Sequence, residues 1–187
     1  MKNALLLGLV AVVFSVFALG CGGGTPWIVV RQAAPDPFTG HPDFVVEPVH
    51  FDQAHVGAKT EAEYANDKKA EAQDKWEDAK AAFAERFAGE LAGSQDVHVG
   101  QSGAIVRAIV TFVEPGYYAF VTHDPTRVKT TVQFLDPQGA VLDEISVEVK
   151  VAATMGSASL GKRMREAGER LGKITGMYLF KRIHGQQ

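Results

Sequence analysis

Two alternating runs constrain the fold more than any other feature of this chain. Val128, Thr130, Val132 and Phe134 alternate with Lys129, Thr131 and Gln133. Further on, Ile145, Val147, Val149 and Val151 alternate with Ser146, Glu148 and Lys150. A strand points successive side chains to opposite faces, so this period means one face on a core and one in water. Between the runs stands Asp136-Pro137-Gln138-Gly139, with Pro and Gly placed as a turn requires. The pair reads as an antiparallel hairpin whose apolar face must be covered by the rest of the chain.

The flanking segments supply the cover. Ala104 to Val113 is apolar on both faces except at Arg107 and Thr111, which suits a central strand. Phe44 to Phe51 reads as a strand weakened by Pro48, and so as an edge or a bulge. Thr60-Glu61-Ala62-Glu63 has capping-box form and opens a helix expected to run to about Ala92. Trp76, Ala79, Phe83, Phe87 and Leu91 line one side of it, and Gly93 stops it. A last helix is expected from about Ser159 to Ile183, with an apolar seam through Leu160, Met164, Ala167, Leu171, Ile174 and Tyr178. The order strand, helix, three strands, helix implies an α+β fold, two helices packed on a mostly antiparallel sheet.

Composition agrees with one domain plus appendages. At 187 residues, with 46% hydrophobic and 22% charged residues, the chain is neither wholly disordered nor collagen-like. A net charge of −3 gives no electrostatic case for binding nucleic acid. One cysteine excludes an intramolecular disulfide and a thiolate-rich metal cluster.

That cysteine stands at a telling place. Met1-Lys2-Asn3 is followed by sixteen uncharged residues, Ala4 to Leu19. The run is short for a span, which needs about 20 residues, and suits the apolar core of an export signal. Ala18-Leu19-Gly20-Cys21 then resembles the lipobox of bacterial lipoproteins, although Leu19 occupies a place that prefers a small residue. The resemblance implies a diacylglyceryl thioether on Cys21 and cleavage before it, leaving 167 of the 187 residues and, without Lys2, a net charge of −4. Gly22 in place of an aspartate implies the outer rather than the inner membrane. The expected organisation is a signal peptide over 1–20, a lipidated tether over 21–42 and one periplasm-facing domain over 43–187. Gly22-Gly23-Gly24 and five prolines between Pro26 and Pro48 make that tether extended and irregular. Within it, Trp27-Ile28-Val29-Val30 reads as a short edge strand, the alternative being a contact just above the lipid.

Three further stretches, IVRAIVTFVEPG, TTVQFLDPQGAVLDEISVEVKV and GKRMREAGERLGKITGMYL, are similar to a group of uncharacterised bacterial lipoproteins. VVRQAAPDPFTG and DFVVEPVHF also resemble predicted lipoproteins of soil myxobacteria. More distantly, the group resembles the α/β domains of the curli-secretion lipoprotein and the N-terminal domain of TolB. Where many of the group carry a Gly-rich turn before the hairpin, this chain has Tyr117 to Asp124. The resemblance implies an envelope component and supplies no catalytic residues or cofactor.

A search for chemistry finds little. None of the six histidines forms an H-x-x-x-H or H-E-x-x-H pair, and His50, Asp52 and His55 make at best a weak metal site. There is no G-x-S-x-G elbow, and the thiol is expected to be acylated. The carboxylates of the first helix read as a solvated face. No catalytic residue, metal or cofactor is therefore expected. The final helix is the asymmetric feature: residues 162–187 carry seven basic against two acidic side chains, on an otherwise acidic chain. Arg163, Arg170, Lys173 and Lys181 avoid the seam and read either as a solvated face or as a docking face for an anionic envelope surface or an acidic partner protein. Gly168, Gly172 and Gly176 share a face, each costing about 1 kcal/mol relative to alanine. They read as close packing on the sheet, or as contact with a partner helix. The expected function is a membrane-anchored, non-enzymatic binding or assembly module, with an auxiliary subunit of an envelope transport or secretion system as the alternative.

Overall fold

The computed structural model describes residues 24–66, 70–119 and 121–186. The signal segment and Cys21 lie outside them. In chain order the elements are β1 (Ile28–Arg31), β2 (Asp43–Val46), β3 (His55–Val56), β4 (Lys59–Thr60), α1 (Glu61–Asn66), α2 (Ala70–Ala92), β5 (His98–Val99), β6 (Ala104–Glu114), β7 (Tyr117–Tyr118), β8 (His123–Asp124), β9 (Thr126–Leu135), β10 (Val141–Val151) and α3 (Leu160–Ile183). The main sheet runs β1-β10-β9-β6-β2-β5, and β3 joins β6 with β4 beside it. β1, β10, β9 and β6 are antiparallel neighbours, whereas β2 and β3 run parallel to β6. The fold is α+β with a mostly antiparallel sheet.

The hairpin forms as its pattern requires. β9 pairs with β10 from Leu135↔Val141 to Thr126↔Val151. The Asp136 carboxylate accepts from the main-chain N–H groups of Gln138 and Ala140, and Gly139 closes the turn at φ +89°. Val128, Val132 and Phe134 point into the core with Ile145, Val147, Val149 and Val151. β6 is central, as its two apolar faces imply; on the open face its Arg107 meets Glu47 at 2.6 Å. The strand expected over Phe44 to Phe51 is shorter, ending at Val46. Pro48 has no N–H to continue a ladder, and only isolated bonds such as His50 N–H to the Ala108 carbonyl follow.

The helical layer lies on the inner face. Thr60 and Glu63 exchange the reciprocal bonds of a capping box, at 2.9 and 3.3 Å. The single helix expected from there is two, α1 and α2, with residues 67–69 between them outside the described set. α1 is tied down by Glu61, which accepts from Trp76 Nε1 at 2.9 Å and Lys80 Nζ at 2.7 Å. Ser159 caps α3 through the Lys162 N–H. Trp76, Ala79, Phe83, Phe87 and Leu91 of α2 are all buried, as are Met164, Ala167, Leu171 and Tyr178 of α3.

The glycine row faces α2, not the sheet. A Cβ on Gly168 would stand 2.2 Å from the Phe83 carbonyl oxygen, and one on Gly172 2.7 Å from that of Phe87. At Gly176 it would meet Ser94 Oγ at 2.0 Å. The expectation of packing on the sheet is corrected: the three glycines let two helix backbones of the same molecule approach.

The domain boundary expected at residue 43 is also corrected. β1 adds to the free edge of β10, pairing Ile28 with Ser146 and Val29 with Ile145. Trp27 and Phe38 belong to the core. The N-terminal arm, residues 24–42, is thus part of the folded body. Trp27 and Phe38 hold it through the core, and the pairing of β1 holds it through the sheet edge.

Candidate functional site

The arm is fixed by a buried polar cluster at the C-terminal end of α3. Asp143 continues the inward register of Ile145, Val147 and Val149, which places a carboxylate at 0% exposure. It accepts from Arg182 Nε at 2.8 Å, from the Tyr178 hydroxyl, and from the Ala33 N–H at 2.7 Å. Arg182, 4% exposed, also reaches Asp36 at 2.8 Å and the Ala33 carbonyl at 3.2 Å. Burial, then the bond to Asp143, push the Tyr178 phenol far above its usual value of 10.0. It therefore stays a protonated donor. The Tyr178 ring stacks on Phe134 at 5.1 Å and takes the edge of Trp27 at 5.7 Å.

Beside this cluster runs a groove of about 800 Å³ between the arm, the end of α2 and the last turns of α3. Pro26, Trp27, Met177 and Phe180 give it an apolar lining, and Lys173, Lys181 and Glu90 its charge. Lys181 Nζ stands 5.4 Å from the centre of the Trp27 ring. Lys173 contacts Glu169 at 2.5 Å and Glu90 at 3.9 Å. The bond to Glu169 raises the Lys173 pKa, and that same bond, followed by Arg86, lowers that of Glu169. The groove offers an apolar lining with two lysines and one carboxylate along it.

The four basic residues expected on one docking face do not share one. Arg163 is the correction: it is 2% exposed, not solvated. Its guanidinium donates to Thr126 Oγ1 at 2.7 Å and to the carbonyls of Ser157, Ala158 and Pro115. Burial lowers its pKa from the usual 12.5. The reason is position: Arg163 adjoins Met164 on the seam and closes the gap between the start of α3 and the sheet end. Arg170 is exposed but engaged, with Glu166 and the Lys150 carbonyl each at 2.6 Å. Only Lys173 and Lys181 line the groove. Cys21 lies outside the described residues. His50 stands 3.8 Å from both Glu47 and Asp52, and among the described residues no three His, Cys, Asp or Glu are grouped to hold a metal ion.

Asp143, Tyr178, Arg182 and Trp27 were not singled out as a set by the sequence reading. One signal was present: the period of two that marks Ile145 to Val151 as inward extends back to Asp143. An acid on a core-facing position demands a buried partner.

No protein-family model matches the chain, and no curated protein does. Among solved structures, a single-site variant of the PelC dodecamer from Paraburkholderia phytofirmans is similar over 79% of this chain and 98% of that one, at 13% identity and a TM-score of 0.36. The PelC dodecamer of the same organism in a second crystal form gives 15% identity and a TM-score of 0.34 over the same shares. Similarity of this size says nothing about function.

Proposed function

We propose that this is a lipid-anchored cell-envelope protein, a non-enzymatic binding or assembly module held through Cys21 and facing the periplasm from the outer membrane. The observation that carries the reading is the place of the single cysteine, at the end of sixteen uncharged residues and directly after Ala18-Leu19-Gly20. One acyl chain attaches a protein only marginally, whereas two or more hold it stably, so lipidation at that cysteine makes the membrane its working surface. The polar groups support binding over catalysis. Asp143, Tyr178, Arg182 and Arg163 are spent on each other, on neighbouring side chains and on the main chain, riveting the arm and α3 in place.

The test is Cys21→Ser in a bacterial host fed labelled palmitate. The wild-type chain should take up label and fractionate with membranes. The variant should lose the label and remain as a precursor about twenty residues longer. A variant that matures normally and stays in the membrane fraction sinks the proposal.

A second reading, an auxiliary subunit of an envelope transport or secretion system, is favoured by the β7–β8 hairpin. Val121 at its tip is 91% exposed and Tyr117 is half exposed, an apolar projection suited to a protein partner. Affinity purification from detergent-solubilised membranes separates the two, since the second requires a stoichiometric transporter partner.

A further inference from the structure

The folded arm shortens the tether. If residues 21–42 were free chain, the domain could swing up to about 70 Å from its lipid. The described chain instead begins at Gly24, which itself lines the groove. Two residues, Gly22 and Gly23, separate it from Cys21, and three extended steps of at most about 3.6 Å each give a reach of about 11 Å. Acyl chains buried in a bilayer therefore bring that bilayer up to the groove end of the molecule.

The groups at that end suit such a surface. Met177 is 48% exposed on α3, and Ile28, Val29 and Val30 are exposed on the edge strand that follows Trp27. Lys173 and Lys181 stand at the groove rim. Its carboxylate, Glu90, is ion-paired with Arg86 at 2.8 Å. Apolar side chains ringed by lysines match the boundary between acyl chains and anionic headgroups. Another exposed apolar projection, the β7–β8 hairpin with Tyr117 and Val121, is at the far end. Arg163, near the start of α3, bonds to Pro115 just before that hairpin. Met177 lies fourteen residues further along the helix, about 21 Å away.

Resting on the lipid-anchor reading, we infer that the groove end is a membrane-docking face. The mature protein sits with Met177 and Ile28 in the interface of an anionic phospholipid bilayer, and with Lys173 and Lys181 on lipid phosphates. It does not swing on a free tether.

The experiment uses the full-length lipidated protein carrying one added cysteine, Ile28→Cys, Met177→Cys, Val121→Cys or Met155→Cys, each labelled with a fluorophore. The proteins are reconstituted in vesicles of phosphatidylethanolamine and phosphatidylglycerol containing a quencher on the acyl chains. Probes at 28 and 177 should lose fluorescence, while those at 121 and 155 keep theirs. Equal quenching at all four positions, or quenching at 121 in place of 177, overturns the docking face while leaving the anchor intact. Protein that does not float with the vesicles at all overturns the anchor reading, and the docking face with it.

Discussion

Two buried arginines divide the basic residues of α3 into unlike kinds. Arg163 and Arg182 are buried and bonded to groups on other elements, whereas Arg170 and Lys173 are exposed and paired along their own helix. Exposed pairs contribute little, so Arg170→Ala should cost less than about 1 kcal/mol. Arg163→Ala should cost about 3 kcal/mol or more, because Thr126 Oγ1 and the carbonyls of Ser157 and Ala158 lose their donor and that of Pro115 keeps only the Thr126 hydroxyl. Asp143→Asn removes one of the two carboxylates paired with the buried Arg182 guanidinium, Asp36 being the other, and should cost about 2–3 kcal/mol. Urea melts of the three variants check these values. If Asp143→Asn unfolded within about 1 kcal/mol of wild type, the cluster would not be what fixes the arm.

Among the elements, the α2–α3 contact depends on glycine at α3 and not on glycine in general. Gly168→Ala should destabilise, since its methyl would stand 2.2 Å from the Phe83 carbonyl oxygen. Gly89→Ala, in the last turn of α2 with open space around it, should stabilise by up to about 1 kcal/mol. Opposite signs in one set of denaturant melts are the expected result, and equal signs would mean that the helices separate easily. The link between the β2 end and β6 should depend on pH. The bond from Arg107 lowers the Glu47 carboxyl below 4.5, against an opposing effect of burial. A depressed carboxylate contributes stability above its unfolded value and loses it as pH falls through the folded one. Stability should therefore fall below pH 4.5, and Glu47→Gln should flatten that fall. An unchanged pH profile in the variant would assign the acid sensitivity elsewhere.

For the whole molecule, the arm decides where the domain begins. A chain of residues 43–187 loses Trp27, Phe38 and β1, and opens Asp143 and Arg182 to water. Deleting two buried aromatics costs about 3 kcal/mol or more. The truncated chain should therefore have a lower denaturant midpoint and a smaller m-value than residues 24–187. Matching midpoints would make the arm a passenger. The same truncation bears on the membrane, because a docked domain needs its arm to stay within reach of the bilayer.

Features whose cause lies within one turn or one strand were legible beforehand. The β9–β10 hairpin follows from a period of two and an Asp-Pro-Gln-Gly turn, the start of α1 from the Thr60–Glu63 box, and α3 from its seam behind Ser159. The lysines at positions 173 and 181 were named for their charge, and the apolar cluster after Gly24 for its place in a proline-rich stretch. Tertiary structure alone decided what each face meets. A helical seam says that a side is apolar, not whether a sheet or a second helix covers it, so the glycine row was assigned to the sheet and lies on α2. A basic residue beside a seam reads as solvated until its partners are known, and Thr126 and Asp143, which meet Arg163 and Arg182, lie 37 and 39 residues away. The arm joins Asp143 across 110 residues of chain. Burying a charge is unfavourable everywhere except where a distant partner meets it, and that meeting exists only after the chain has folded.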